Sequence, residues 1–245
     1  MRKTGFLIAL LMLAFGLSVQ SVQAAWAPAM IAGIAAQFEP LWNLSIGTVT
    51  YANLPSSIQD PQRWVDRPSN DRLGAVREVS AIITNSGGFY SIKNFSAASE
   101  SGSATTYYTG ANIVADIHTH PFHPGRDYEM GTTFSGTDVV DPYLRGSLFR
   151  TGYVRIVRTG RAWYSLEIED VAKATAQYQR LTAEAVARNN MTLRDYAVDV
   201  YSHTNHGTDI DNIRENSVIR LIGSSSVSGI GFYKMPIGGG VQKLN

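Results

Sequence analysis

Three of the five histidines stand at positions 118, 120 and 123, in and just after the segment Ala115-Asp116-Ile117-His118-Thr119-His120-Pro121. The pattern before them predicts a strand over Ala111–His118 that Pro121 ends. Residues two apart in a strand point the same way, so His118 and His120 offer two imidazoles on one face. A single cation held at about 2.0–2.1 Å would satisfy both. The same spacing also fits a pair of solvent-facing loop histidines, and His123, past the proline, is out of line with the other two.

Downstream lies Phe134-Ser135-Gly136-Thr137-Asp138. If a helix begins there, Ser135 and Asp138 share one face of its first turn. Ser-x-x-Asp is also a capping-box variant that satisfies backbone N–H groups. The two roles are compatible, because a capped helix start is a rigid base from which an Asp can reach a metal. Two His and one Asp leave a fourth position open, the usual arrangement of catalytic zinc. The chain has no Cys, so any metal must be held by nitrogen and oxygen. Such a site needs a base that takes a proton from the attacking water and delivers it to the leaving amine. Glu78 is the candidate: it heads an expected strand, Glu78 to Thr84, in which Val79, Ala81, Ile82 and Ile83 read as core. An exposed strand-end Glu is the alternative reading, and Glu100 and Glu129 are the rival bases. The Ser135 hydroxyl is the candidate oxyanion donor.

Together, Glu78, His118-Thr119-His120-Pro121 and Ser135-Gly136-Thr137-Asp138 resemble the signature of the JAB/MPN (JAMM) metallopeptidases. The stretch from Glu78 through Gly87-Gly88-Phe89-Tyr90 to Asp138 is most similar to an exported bacterial branch of that superfamily, one also found at the toxin tips of Rhs-type polymorphic proteins. The resemblance covers roughly Leu73 to Leu166. It implies a cytidine-deaminase-like mixed sheet with flanking helices, His118, His120 and Asp138 as zinc ligands, Glu78 as general acid/base and Ser135 as oxyanion donor. The chain departs from the family between Pro121 and Ser135, where the insertion containing Phe122-His123-Pro124-Gly125 is expected to cover the cleft or supply His123. The part after Asp170 has no counterpart in the resemblance.

These residues must be positioned by the rest of the chain. Arg2 and Lys3, an apolar run from Phe6 to Val19 and Val22-Gln23-Ala24 predict a cleaved export signal over residues 1–24, the run being shorter than the ~20 residues a spanning helix needs. Protein recovered from the envelope or medium is therefore expected to start at or near Ala25; an intact Met1 on cytosolic protein would contradict this. Residues 25–70 read as one apolar helix, Trp26 to Trp42, and a loop from Asn53 to Asn70. Residues 71–168 read as the hydrolase domain, with hairpins around Asn85-Ser86-Gly87-Gly88 and Thr159-Gly160 and a loop from Ser96 to Gly110. Residues 169–245 read as a helical extension, with helices capped by Asp170, Thr192 and Asp209 and a terminal edge strand, Gly229 to Met235. The chain as a whole reads as α+β.

A formal charge of +1 with no basic run points away from nucleic acid and anionic membranes, and towards a peptide or protein substrate, peptidoglycan peptides included. A periplasmic or secreted zinc-dependent hydrolase of peptide or isopeptide bonds is the expectation. The alternatives are a non-catalytic JAB/MPN-like binding module and a PHP-type metal phosphoesterase, whose Asp-x-His-x-His strand resembles Asp116 to His120. The latter needs a closed barrel of about 250 residues and further histidines, for which His203 and His206, both near a helix end, are poor candidates.

Overall fold

The structure is a computed structural model that describes residues 26–69, 71–98, 104–106, 108, 110, 112–122, 132–146, 149–203 and 209–245. The expected export signal, Glu100, Glu129, His123 and His206 lie outside these residues.

Helix α1, Trp26–Ser45, buries Met30, Ile34, Phe38, Leu41 and Leu44. Their three- and four-residue spacing makes one apolar stripe, as the sequence predicts. The stretch expected to be loop is more structured than that reading. It contains the short α2 (Ser56–Gln59), two single-turn 3-10 segments and β1 (Trp64–Asp66), which pairs parallel with β3. Three residues are too few to show a period of two, so β1 left no pattern to read.

The hairpin of β2 (Val79–Ser86) and β3 (Phe89–Ala97) forms as expected, with Gly87 and Gly88 at φ 60° and 90° in the turn. Such angles suit a tight turn and strain any residue with a Cβ. Strand β4 (Ile113–His120) lies against β2 and ends at Pro121. The next strands are β5 (Val154–Thr159) and β6 (Ala162–Ile168), followed late in the chain by β7 (Ile230–Pro236) and β8 (Gln242–Lys243). The sheet has eight strands in the order β1-β3-β2-β4-β5-β6-β7-β8. The segment expected to be an edge strand is therefore not at the edge: β7 pairs with β6 on one side and the two-residue β8 on the other. β8 is polar and too short for its pairing to be read from the chain.

All neighbours are antiparallel except β1 with β3 and β4 with β5. Parallel strands need a crossover. Between β4 and β5 it contains α3 (Gly136–Leu144), which starts near the carboxyl end of β4. Helices α4 (Val171–Ala187), α5 (Leu193–His203) and α6 (Ile210–Ile222) follow, each at its expected cap, before the single-turn α7 (Ser225–Ser228).

Two hydrophobic cores separate the layers. One lies between α1 and the face bearing Ala81, Ile83, Ala115 and Ile117; the other lies between helices α3 to α6 and the face bearing Ile82, Val157 and Leu166. The helices after Asp170 thus share one core with the central strands. By strand alternation Asp116, His118 and His120 of β4 and Arg155 of β5 face the α3 side. The architecture is a mixed α+β sheet covered on both faces, and no described helix is long and apolar enough to cross a membrane.

Candidate metal centre

The carboxyl ends of β4 and β5 beside a crossover helix are where α/β sheets open a crevice. There the last strand residues of β4 and the first turn of α3 meet. His118 Nε2 is 3.2 Å from His120 Nε2 and 3.3 Å from Asp138 Oδ1, and His120 Nε2 is 3.6 Å from Asp138 Oδ2. Among the described residues these three form the group able to hold a metal ion. Glu78, one residue before β2, brings Oε1 to 3.9 Å from His120 Nε2. All four side chains are largely buried, the two histidines at 7% and 9% exposure and the two carboxylates at 13% and 14%.

Each group is fixed locally. The ring of His120 donates from Nδ1 to the carbonyls of Thr132 and Thr133, at 3.2 and 3.0 Å. That bond selects the tautomer whose bare Nε2 faces the cluster. His118 Nδ1 is buried and has no hydrogen-bond partner among the described residues. Ser135 caps α3 in a full capping box: its Oγ accepts from the Asp138 N–H, and Asp138 Oδ2 accepts from the Ser135 N–H at 2.9 Å and from its hydroxyl at 2.6 Å. Capping and ligand presentation are thus one arrangement. To serve an oxyanion, the Ser135 hydroxyl must first leave Asp138.

Thr119, between the two histidines, points to the opposite face. Its Oγ1 lies 2.6 Å from Ser45 Oγ at the end of α1 and accepts from the Val79 N–H at 2.9 Å. This hydroxyl ties the start of β2, and so the backbone next to Glu78, to the strand that carries the histidines. Glu78 Oε2 accepts from the Ala104 N–H at 3.0 Å, which leaves Oε1 facing His120.

Charge at the site is unbalanced. Among the described residues, Glu78, Asp116, Asp138 and Asp141 are four carboxylates, and Arg145 and Arg155 are the two guanidinium groups among them. Burial alone would raise the Asp138 carboxyl, but His118, Arg155 and His120 together hold it well below the usual range. Burial likewise pulls His118 down, and the charge and hydrogen bond of Asp138 outweigh it, so His118 sits above its ordinary value. In this state a proton on His118 does what a cation would do.

The donor set fits a divalent ion. Two imidazole nitrogens lie 3.2 Å apart, Asp138 offers Oδ1 at 3.3 Å to one and Oδ2 at 3.6 Å to the other, and one ligand atom from each residue lies within 4.8 Å of the others, a spacing compatible with a shared ion. The excess of two carboxylates over guanidinium groups is the charge such an ion would balance. Nitrogen and oxygen donors without sulfur suit zinc and its first-row neighbours.

The part read as an extension supports this site. A Cβ on Gly136 would lie 2.3 Å from the Ala197 carbonyl oxygen, so the first turn of α3 touches the backbone of α5. Tyr178 of α4 donates to the Val139 carbonyl at 2.5 Å, and the Tyr143 and Tyr178 rings stack at 4.9 Å. Gly136→Ala is expected to destabilise the fold by about 1–3 kcal/mol through overpacking, read as a lower urea midpoint; an unchanged midpoint would show that α5 is not pressed against the ligand helix. Sequence reasoning missed Arg155, Thr119 and Gly136. Arg155 had a signal, an arginine between Val154 and Ile156 inside a strand, a position where a buried charge needs a partner.

His203 lies on the last turn of α5 with Nδ1 3.0 Å from Asp199 Oδ1, away from the cluster and in the helix-end role expected of it. The chain matches no family model, no curated protein and no solved structure.

Proposed function

We propose that this protein is an exported, zinc-dependent hydrolase of peptide or isopeptide bonds, of the JAB/MPN type that its motifs resemble. One observation carries the reading: two histidines and an aspartate converge within 4.8 Å, with a second carboxylate beside them, Glu78, whose Oε1 is 3.9 Å from one of the histidines. Three donors with a fourth position left over and a base beside them is the layout of a catalytic rather than a structural metal site.

His118, His120 and Asp138 would hold the ion. Zinc supplies Lewis acidity, making water nucleophilic near neutral pH and polarising a carbonyl oxygen. Glu78 does the proton work. Oε2 is held by the Ala104 N–H, so Oε1 accepts a proton from the attacking water and returns it to the nitrogen of the scissile amide as the C–N bond breaks. Ser135 keeps Asp138 oriented through the cap, and its hydroxyl is the nearest candidate to donate to the oxyanion. The linear order of the sheet favours this reading over a PHP-type phosphoesterase, which needs a closed barrel.

The mature protein is expected to carry one zinc and to cleave a peptide or isopeptide substrate, with cross-linked muropeptides and ubiquitin-like conjugates as the first panel. Elemental analysis of the purified chain and loss of cleavage on chelation test this. Protein that takes up no zinc at neutral pH would end the proposal; protein that holds zinc and has no base-dependent cleavage would be a metal-stabilised binding module.

A further inference from the structure

Behind the candidate ligands lies a buried cluster that neither metal binding nor proton transfer explains. Arg155 is 6% exposed and extends from β5 under α3. Its Nη1 donates to Asp141 Oδ2 at 2.7 Å, its Nε is 3.4 Å from Asp116 Oδ2, and its Nη2 is 3.6 Å from Asp138 Oδ1. Asp116 is fully buried and accepts from the Tyr153 hydroxyl at 2.6 Å. Asp141 also takes Arg145 Nε at 2.6 Å, and the Arg145 guanidinium lies 4.9 Å over the Tyr108 ring. The guanidinium is therefore hydrogen-bonded on the Asp141 side, in ion-pair contact without a hydrogen bond on the Asp116 side, and nearest the ligand at Nη2.

Asp138 is gripped from two directions. Ser135 holds Oδ2, as any capping box would, while Arg155 stands beside Oδ1, the oxygen nearest His118. A cap fixes one oxygen and leaves the carboxylate plane free to tilt. A charge held rigidly next to the other oxygen removes that freedom. A planar guanidinium can touch three carboxylates in fixed directions, which a lysine ammonium on its flexible stem cannot do.

We propose that Arg155 is a positioning residue for the metal ligand Asp138, with Asp116 and Asp141 as its anchors. This rests on the metal-site reading above and adds to it a residue that touches neither metal nor substrate. Supporting groups of this kind typically tune metal affinity by 10–100-fold. A purely structural role predicts something different: lower stability with unchanged zinc affinity in the protein that remains folded.

The test uses the full mature chain at one fixed pH, with zinc affinity read by competition against a chelator and folding of the zinc-free protein read by a thermal melt. Arg155→Lys is expected to fold and to bind zinc about 10–100-fold more weakly than wild type. Wild-type zinc affinity in folded Arg155→Lys, whatever its melting temperature, would overturn the inference. Should that variant not fold, Asp116→Asn decides: it keeps an acceptor for Tyr153 and frees one flank of the guanidinium, so zinc binding is expected to weaken several-fold, and wild-type affinity would again overturn the inference. A wild-type chain that binds no zinc overturns both the site and its supporting residue, so the two failures are distinguishable.

Discussion

Glu78→Gln is expected to keep its zinc and its fold while losing about 10²–10⁴-fold in hydrolytic rate, the range associated with general acid–base catalysis. The substitution is chosen for what it leaves alone. Glutamine has the same length and retains an oxygen that can accept from the Ala104 N–H, so the connection at Oε2 survives. Only the ability of the second oxygen to take a proton is removed. Glu78 lies 3.9 Å from His120 and belongs to none of the three converging ligand positions, so the zinc content of the variant should equal that of the wild type. Rate is measured at saturating zinc, with a melting curve beside it. An undiminished rate in Glu78→Gln, together with a rate lost in Glu100→Gln or Glu129→Gln, would move the base to a loop. If none of the three changes the rate, the proton does not pass through any of these carboxylates.

The convergence of the candidate ligands was more legible than the support around them, for physical reasons. A strand carries its side chains with a period of two, so His118 and His120 declare a shared face from spacing alone. A helix start announces itself through its cap, so Ser135 and Asp138 could be placed together, and the caps Asp170 and Asp209 set the starts of α4 and α6 where they were expected. α1 was legible as an apolar stretch with few charges. Pairings between distant segments were not. β1 and β8 are two or three residues long and exist because a neighbour offers hydrogen bonds. Arg155 acquires its meaning only from strand register, which sets it beside Asp116, and from the crossover that brings α3 overhead. Gly136 likewise reads as a permissive residue until α5 is seen against it. The boundary drawn at residue 168 followed the resemblance rather than the core, because a resemblance ends where the shared motifs end, whereas burial continues through α4, α5 and α6 into the same sheet face.

Removing one ligand should affect binding far more than removing the base. Zinc held by four ligands in structural sites is bound by about 10–16 kcal/mol in all, so one ligand accounts for roughly 2.5–4 kcal/mol, on the order of 10²–10³ in affinity. His118→Ala is the cleanest of the three variants. His120→Ala also strips the donor from the Thr132 and Thr133 carbonyls, and Asp138→Ala removes the side-chain half of the capping box and one of the three carboxylates around Arg155. His118 Nδ1 has no described partner to abandon. The same residue sets the pH dependence. Its folded pKa lies above the ordinary histidine value of 6.5, so in zinc-free protein the protonated ring contributes stability that is complete below about 6.5 and is lost as pH rises through the raised value. Asp138 is depressed below 3.8, and its contribution is present above that value and lost as pH falls through the depressed one. The pair therefore stabilises the zinc-free chain between the lowered Asp138 pKa and the raised His118 pKa. Zinc must displace the His118 proton, so affinity is expected to climb with pH until the raised value is passed and then to level off. Calorimetry in buffers of different ionisation heat should register a released proton below that point. Zinc binding that ignores pH between 6 and 8 with no proton released, or His118→Ala binding zinc as tightly as wild type, would place the metal elsewhere than between these two imidazoles and Asp138.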